Sequence, residues 1–119
     1  RPAGRLGGCP AGELKHGPLA LVTSETPVVA VFTGAHDTKT LNNVEEVRSR
    51  GAPVIGVAPE SADHVAAAVD EFLPVPDIHP DVAGVLANVQ LQLVSYHVAN
   101  ALNRSIDKPR NLAKSVTVE

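Results

Sequence analysis

Cys9 is the only cysteine in the chain, and methionine is missing altogether. One thiol cannot close an internal disulfide, and the sequence opens without a signal-peptide pattern, so the expected setting is reducing and cytoplasmic. Basic charge is also scarce: 10 Lys and Arg stand against 13 Asp and Glu, a net charge of -3. No nucleic-acid partner is expected from that balance, and a phosphorylated ligand has to be held by local geometry against a mildly repulsive field. No wholly apolar run approaches the ~20 residues of a bilayer span, so no membrane span is expected. Internal repeats and low-complexity segments are absent. So are a Walker loop, a Rossmann glycine fingerprint and any metal-type spacing of histidine and cysteine, so neither cofactor nor metal is expected. A chain that starts at Arg1 and holds no methionine is expected to be a piece of a longer polypeptide.

What is present is the composition of one folded domain. The chain's 119 residues are enough for a single core, and 44% apolar against 19% charged residues is the balance of a globular protein. Residues 1–10 are rich in Gly, Pro and Arg, without apolar periodicity, and read as a loop. Residues 11–22 read as a broken helix, with Pro18 tolerated in a first helical turn. Residues 27–33 (PVVAVFT) and 54–58 (VIGVA) are short β-branched runs of the kind found in buried parallel strands. Residues 72–75 form a shorter third strand, closed by Pro76.

Between the first two strands, Leu41, Val44 and Val47 recur every three residues within 38–50, an amphipathic helix that Gly51 can stop. Ser61 and Asp63 are placed to cap a short helix over 62–69. From 81 to 103 a long helix carries Val85, Leu86, Val89, Leu93, Tyr96 and Ala101 on one side. Leu91, Val94, Val98 and Leu102 cover much of the rest. A helix apolar nearly all round is expected to be covered on more than one side, within the domain or by another subunit. Strand and helix in strict alternation predict an α/β domain, a parallel sheet with right-handed crossovers. Residues 107–119 leave that pattern as an extended tail.

Two segments look unlike scaffold. In Gly12-Glu13-Leu14-Lys15-His16-Gly17-Pro18, an acid, an ammonium and an imidazole fall within four residues, beside glycines that let a backbone approach a ligand. Imidazole suits proton transfer near neutrality. The plainer alternative leaves Glu13 and Lys15 solvated and His16 as a capping or core residue. In the tail, an extended backbone puts Lys114 on the same side as Val116 and Val118. If the valines face the protein, the ammonium goes with them and must snorkel, pair or meet an anion. Otherwise the tail is an exposed terminal strand.

The other histidines are weaker signals. His36 and Asp37 follow the first strand, where α/β sheets bind ligands, though a loop turn explains them as well. His64 is expected on a surface helix and His79-Pro80-Asp81 at a helix start. His97 is expected to serve packing, and Cys9 to be an inert thiol.

GELKHGPLAL, followed by QLQLVSYHVA and DKPRNLAKSVTVE, closely resembles the C-terminus of the glucosamine-6-phosphate synthase family, the isomerising glutamine–fructose-6-phosphate aminotransferases. The likeness runs from about Ala11 to Glu119, and the tail is its most specific part. It implies a sugar-isomerase (SIS), flavodoxin-like fold: a parallel sheet flanked by helices. Residues 11–106 would be the second SIS subdomain, 107–119 a tail that closes over the active site, and 1–10 an atypical boundary.

The resemblance also implies the reaction, fructose 6-phosphate plus glutamine-derived ammonia giving glucosamine 6-phosphate, in a cytoplasmic homodimer. His16 would help open the sugar ring in the neighbouring subunit's site. Lys114 would stand at the sugar's reacting end, with Ala113 beside it as a substrate contact. Departures from the family pattern matter too. The family's proton-shuttling glutamate precedes GELKHGP, and here residues 1–10 hold no carboxylate; Glu13 is a different position, expected to be structural. Cys9 does not match the family's glutaminase nucleophile, and the serine- and threonine-rich phosphate loop belongs to the first SIS subdomain. The chain is therefore expected to be inactive without the remaining synthase domains. A non-catalytic module that binds sugar phosphate for sensing is the alternative, and a remnant that folds but binds nothing is a third reading.

Overall fold

The computed structural model describes residues 7–34 and 37–107. Strands β1 (Val28–Val31), β2 (Val54–Pro59) and β3 (Glu71–Val75) form one parallel sheet in the order β1-β2-β3. Helix α1 (Asp37–Ser49) joins the first two strands, the single turn α2 (Asp63–Ala66) joins the second pair, and α3 (Pro80–Ala101) follows β3. The register, Val28 with Val54 and Ile55 with Glu71, sets alternate residues of β2 toward opposite layers.

On one side, Val54 and Ala58 pack with Val44 and Val47 of α1, Val65 of α2, Phe32 and Leu19. On the other side, Val57 and Val75 pack against Ala87 of α3. The expected periodicity of α1 is what builds the first layer, with Val44 and Val47 buried and Leu41 packed on their edge. Gly51 ends that helix at φ 81°, a left-handed conformation that favours glycine, and its N–H donates to the Arg48 carbonyl at 2.8 Å. β3 tolerates Pro74 because, among the described residues, it pairs on one side only.

The structure refines one expectation and corrects others. Residues 11–22 are a broken helix as expected, wound as two 3-10 turns, Ala11–His16 and Pro18–Leu21. Gly17, at φ 156°, breaks the run before it reaches the length an α-helix needs. Ser61 and Asp63 do not cap α2: its N-cap is Ala62, with no side-chain cap, while the Ser61 hydroxyl donates to Asp77 Oδ1. The Ser61 side chain is thus turned toward the segment beyond β3, and α2 is only four residues long.

His97 is exposed and meets Tyr96 edge-on, with ring centroids 5.4 Å apart, rather than packing in the core. By length and composition α3 can cross a membrane, with 22 residues at a mean hydropathy of 1.2 over its best window. Its asparagines, glutamines, serine and histidine interrupt any wholly apolar run but leave that average high. Here the N-terminal half docks on the sheet through Ala83 and Ala87, and Gln90 Nε2 donates to the Pro74 carbonyl at 2.9 Å.

Candidate functional site

The first 3-10 turn is held at both ends of its apolar side. Leu14 packs on the core, and Leu19, just past Gly17 and Pro18, is buried in it. With those leucines turned inward, Glu13, Lys15 and His16 face outward. Lys15 Nζ reaches Glu46 Oε2 of α1 at 3.1 Å, which ties the turn to the outer face of that helix.

In a 3-10 helix, residues three apart eclipse one another. Glu13 and His16 therefore stand one above the other, with Nδ1 3.0 Å from Glu13 Oε2. The two side chains stay 72% and 61% exposed, His16 the more so. This excludes the plainer alternative for His16, since it is neither a core histidine nor a cap: no side chain caps this turn.

A second set of polar groups lies beyond the strand carboxyl ends. Gly34, at φ 91°, gives its N–H to Asp37 Oδ1 at 3.0 Å. The other oxygen of Asp37 stands 3.5 Å from His64 Nε2, which joins the start of α1 to α2. Across the sheet, Ser61 and Asp77 join the end of β2 to the segment after β3. His79 starts α3 as expected, its Nδ1 accepting from the Asp81 N–H at 3.4 Å.

His16 sits beside α1 and is not joined to this rim by any hydrogen bond or ion pair that the described residues show. Sequence reasoning named Asp37 and His64 separately and missed their pairing. Nothing local announces a contact between residues that only parallel strand order brings together. The Glu13–His16 pair did carry a local signal, its spacing of three. His36, Ala113 and Lys114 lie outside the described residues.

The described residues thus form a parallel α/β domain with polar groups beyond its strand carboxyl ends and an acid–imidazole turn on its flank. The chain belongs to the SIS domain family, which matches residues 8–102. It is 58% identical over 113 residues to glutamine–fructose-6-phosphate aminotransferase (isomerising) of Halobacterium salinarum, covering 94% of this chain and 18% of that protein. It is 48% identical over 111 residues to the enzyme of the same name from Thermus thermophilus, covering 92% of this chain and 18% of that one.

Among solved structures, the C-terminal domain of glucosamine-fructose-6-phosphate aminotransferase from Francisella tularensis superposes with a TM-score of 0.75 at 38% identity. That match covers 85% of this chain and 29% of the other. The chain thus spans about a fifth of the length of the curated relatives it matches.

Proposed function

We propose that the chain is the C-terminal isomerase part of an enzyme that makes glucosamine 6-phosphate from fructose 6-phosphate and ammonia released from glutamine. The observation that carries this reading is the 58% identity to an enzyme of that name across 94% of the chain. The outward, bonded imidazole of His16 supports it chemically. A cyclic hemiketal opens when one group donates a proton to the ring oxygen while another removes the hydroxyl proton. His16 is the first group in our reading. Its exposure fits a histidine used by a ligand outside its own domain, in the partner of a homodimer. Lys114, with Ala113 beside it, then favours the anionic transition state at the reacting carbons. Residues 11–106 act as the domain and 107–119 as the segment that closes the site. The cytoplasm suits both an unpaired, exposed Cys9 and a sugar-phosphate substrate.

The test uses the full polypeptide in which this domain is joined to the remaining domains. His16→Ala lowers turnover of fructose 6-phosphate by roughly the 10²–10⁴-fold that general acid–base catalysis contributes. It leaves a 5-deoxy analogue, which cannot close the same ring, far less affected. Equal losses on both substrates remove ring opening from His16. The 119-residue chain alone is expected to give no glucose 6-phosphate from fructose 6-phosphate; turnover by the isolated chain would falsify the division of labour between domains.

A further inference from the structure

We propose that Glu13 is a positioning residue. Its carboxylate fixes the proton on Nδ1 of His16, so that Nε2 is the atom that exchanges a proton with the sugar. This rests on the reading of His16 given above and goes beyond it, since it assigns work to a glutamate expected to be structural.

An ionised carboxylate can only accept, so the nitrogen 3.0 Å from Glu13 Oε2 is the one that carries hydrogen. In the neutral ring Nε2 then holds the lone pair; in the cation it holds the mobile proton. Which nitrogen of a histidine is free is set by the bond the other one makes. Two further features reserve Glu13 for this task. Lys15, the nearest cation in sequence, is engaged by Glu46 at 3.1 Å and so does not compete for the carboxylate. Both partners are well over half exposed, and an ion pair so placed contributes little to stability, which makes folding a poor reason for the contact. The His16 side chain is itself 72% exposed, and an added Cβ at the following Gly17 would meet nothing within 4 Å, so the ring is open to a ligand.

The proton balance follows from the geometry. Imidazolium Nε2–H gives its proton to the ring oxygen as the bond from that oxygen to the anomeric carbon breaks. The anomeric hydroxyl loses its proton to a second base, water or a neutral amine, and becomes the carbonyl. His16 is left neutral, its Nδ1–H still donating to Glu13. The ring therefore changes charge without changing which nitrogen faces the sugar.

The experiment again uses the full polypeptide. Glu13→Ala is expected to lower kcat/KM for fructose 6-phosphate about tenfold, a part of what acid–base catalysis supplies, and to spare the 5-deoxy analogue. Glu13→Gln, whose amide oxygen still accepts, recovers part of the loss. The ¹⁵N resonances of the neutral His16 ring report an Nδ1–H tautomer in the parent and a mixture in Glu13→Ala. Unchanged ring resonances in Glu13→Ala, or equal losses on the two substrates, overturn the proposal. The two readings fail separately. A silent His16→Ala removes the role of His16 itself, whereas a damaging His16→Ala beside a silent Glu13→Ala removes only the dyad.

Discussion

Asp70 shows how much one side chain can decide. Its N–H donates to the Val54 carbonyl at 2.9 Å, and its Oδ2 accepts from the Val54 N–H at 2.7 Å. The ladder between β2 and β3 is thus extended one residue past its first registered pair, Ile55 with Glu71. Oδ1 takes Arg48 Nη2 at 3.2 Å, while Nη1 reaches the Ala68 carbonyl at 2.9 Å, tying the last turn of α1 to the same corner. Val54 is fully buried, so water cannot easily replace the lost acceptor. Asp70→Ala should therefore cost about 1–3 kcal/mol, the penalty of an unpaired buried donor. Arg48→Ala, at a half-exposed ion pair, should cost about 1 kcal/mol or less. Urea unfolding of both variants checks this, and equal costs would show that the ion pair, rather than the backbone bond, holds the corner. Spacing in the sequence made Glu13 and His16 visible as neighbours, but nothing around Asp70 pointed to Val54.

Among the elements, β2 is the tightest. An added Cβ at Gly56 would come within 2.9 Å and 3.0 Å of the two Val69 methyls and 3.3 Å of Val65. β-branched valine has little freedom to turn away. Gly56→Ala should destabilise the domain by about 1–3 kcal/mol, as overpacking does, despite the entropy alanine would gain in the unfolded chain. Val69→Ala removes the obstruction, so the double variant should lose less than the two single losses summed. Strict additivity in a thermal melt would mean the strand simply shifts. The three strands and α1 were legible because their apolar periods are set by backbone geometry. The 3-10 turns were read only as broken helix, since glycine and proline announce a break without saying how tightly the pieces wind. The short α2 was overextended because Ser61 is turned toward Asp77, a partner from a distant segment, and Ala62 stands at the N-cap.

At the scale of the molecule, the layer formed by α3 is half built. Val82, Val85, Val89, Leu93 and Tyr96 all stand exposed along the helix, with Leu93 at 48%. Val29 and Val31 of β1, on the same sheet face as Val57 by register, remain 38% and 37% exposed. Large apolar side chains exposed along one helix in this way mark an interface. Among the described residues the expected covering of α3 on more than one side is not met within the domain, and the other alternative is another subunit. In solution the thermal midpoint should fall on dilution, because association stabilises by mass action. Leu93→Lys should abolish that dependence while keeping the helical signal. A midpoint independent of concentration in the parent chain would rule out pairing through this face.

By itself the sequence determined the order of strands and helices, the layer built by α1, and the turn that offers His16. Each of these depends on residues close along the chain, where backbone period and a few glycines and prolines leave little choice. The tertiary structure decided the rest. It set Asp37 against His64, Ser61 against Asp77 and Asp70 against Val54, and among the described residues it left one side of α3 uncovered. Those outcomes depend on which strand lies beside which and in what register. That follows from packing the whole apolar surface at once, and no local pattern of residues carries it.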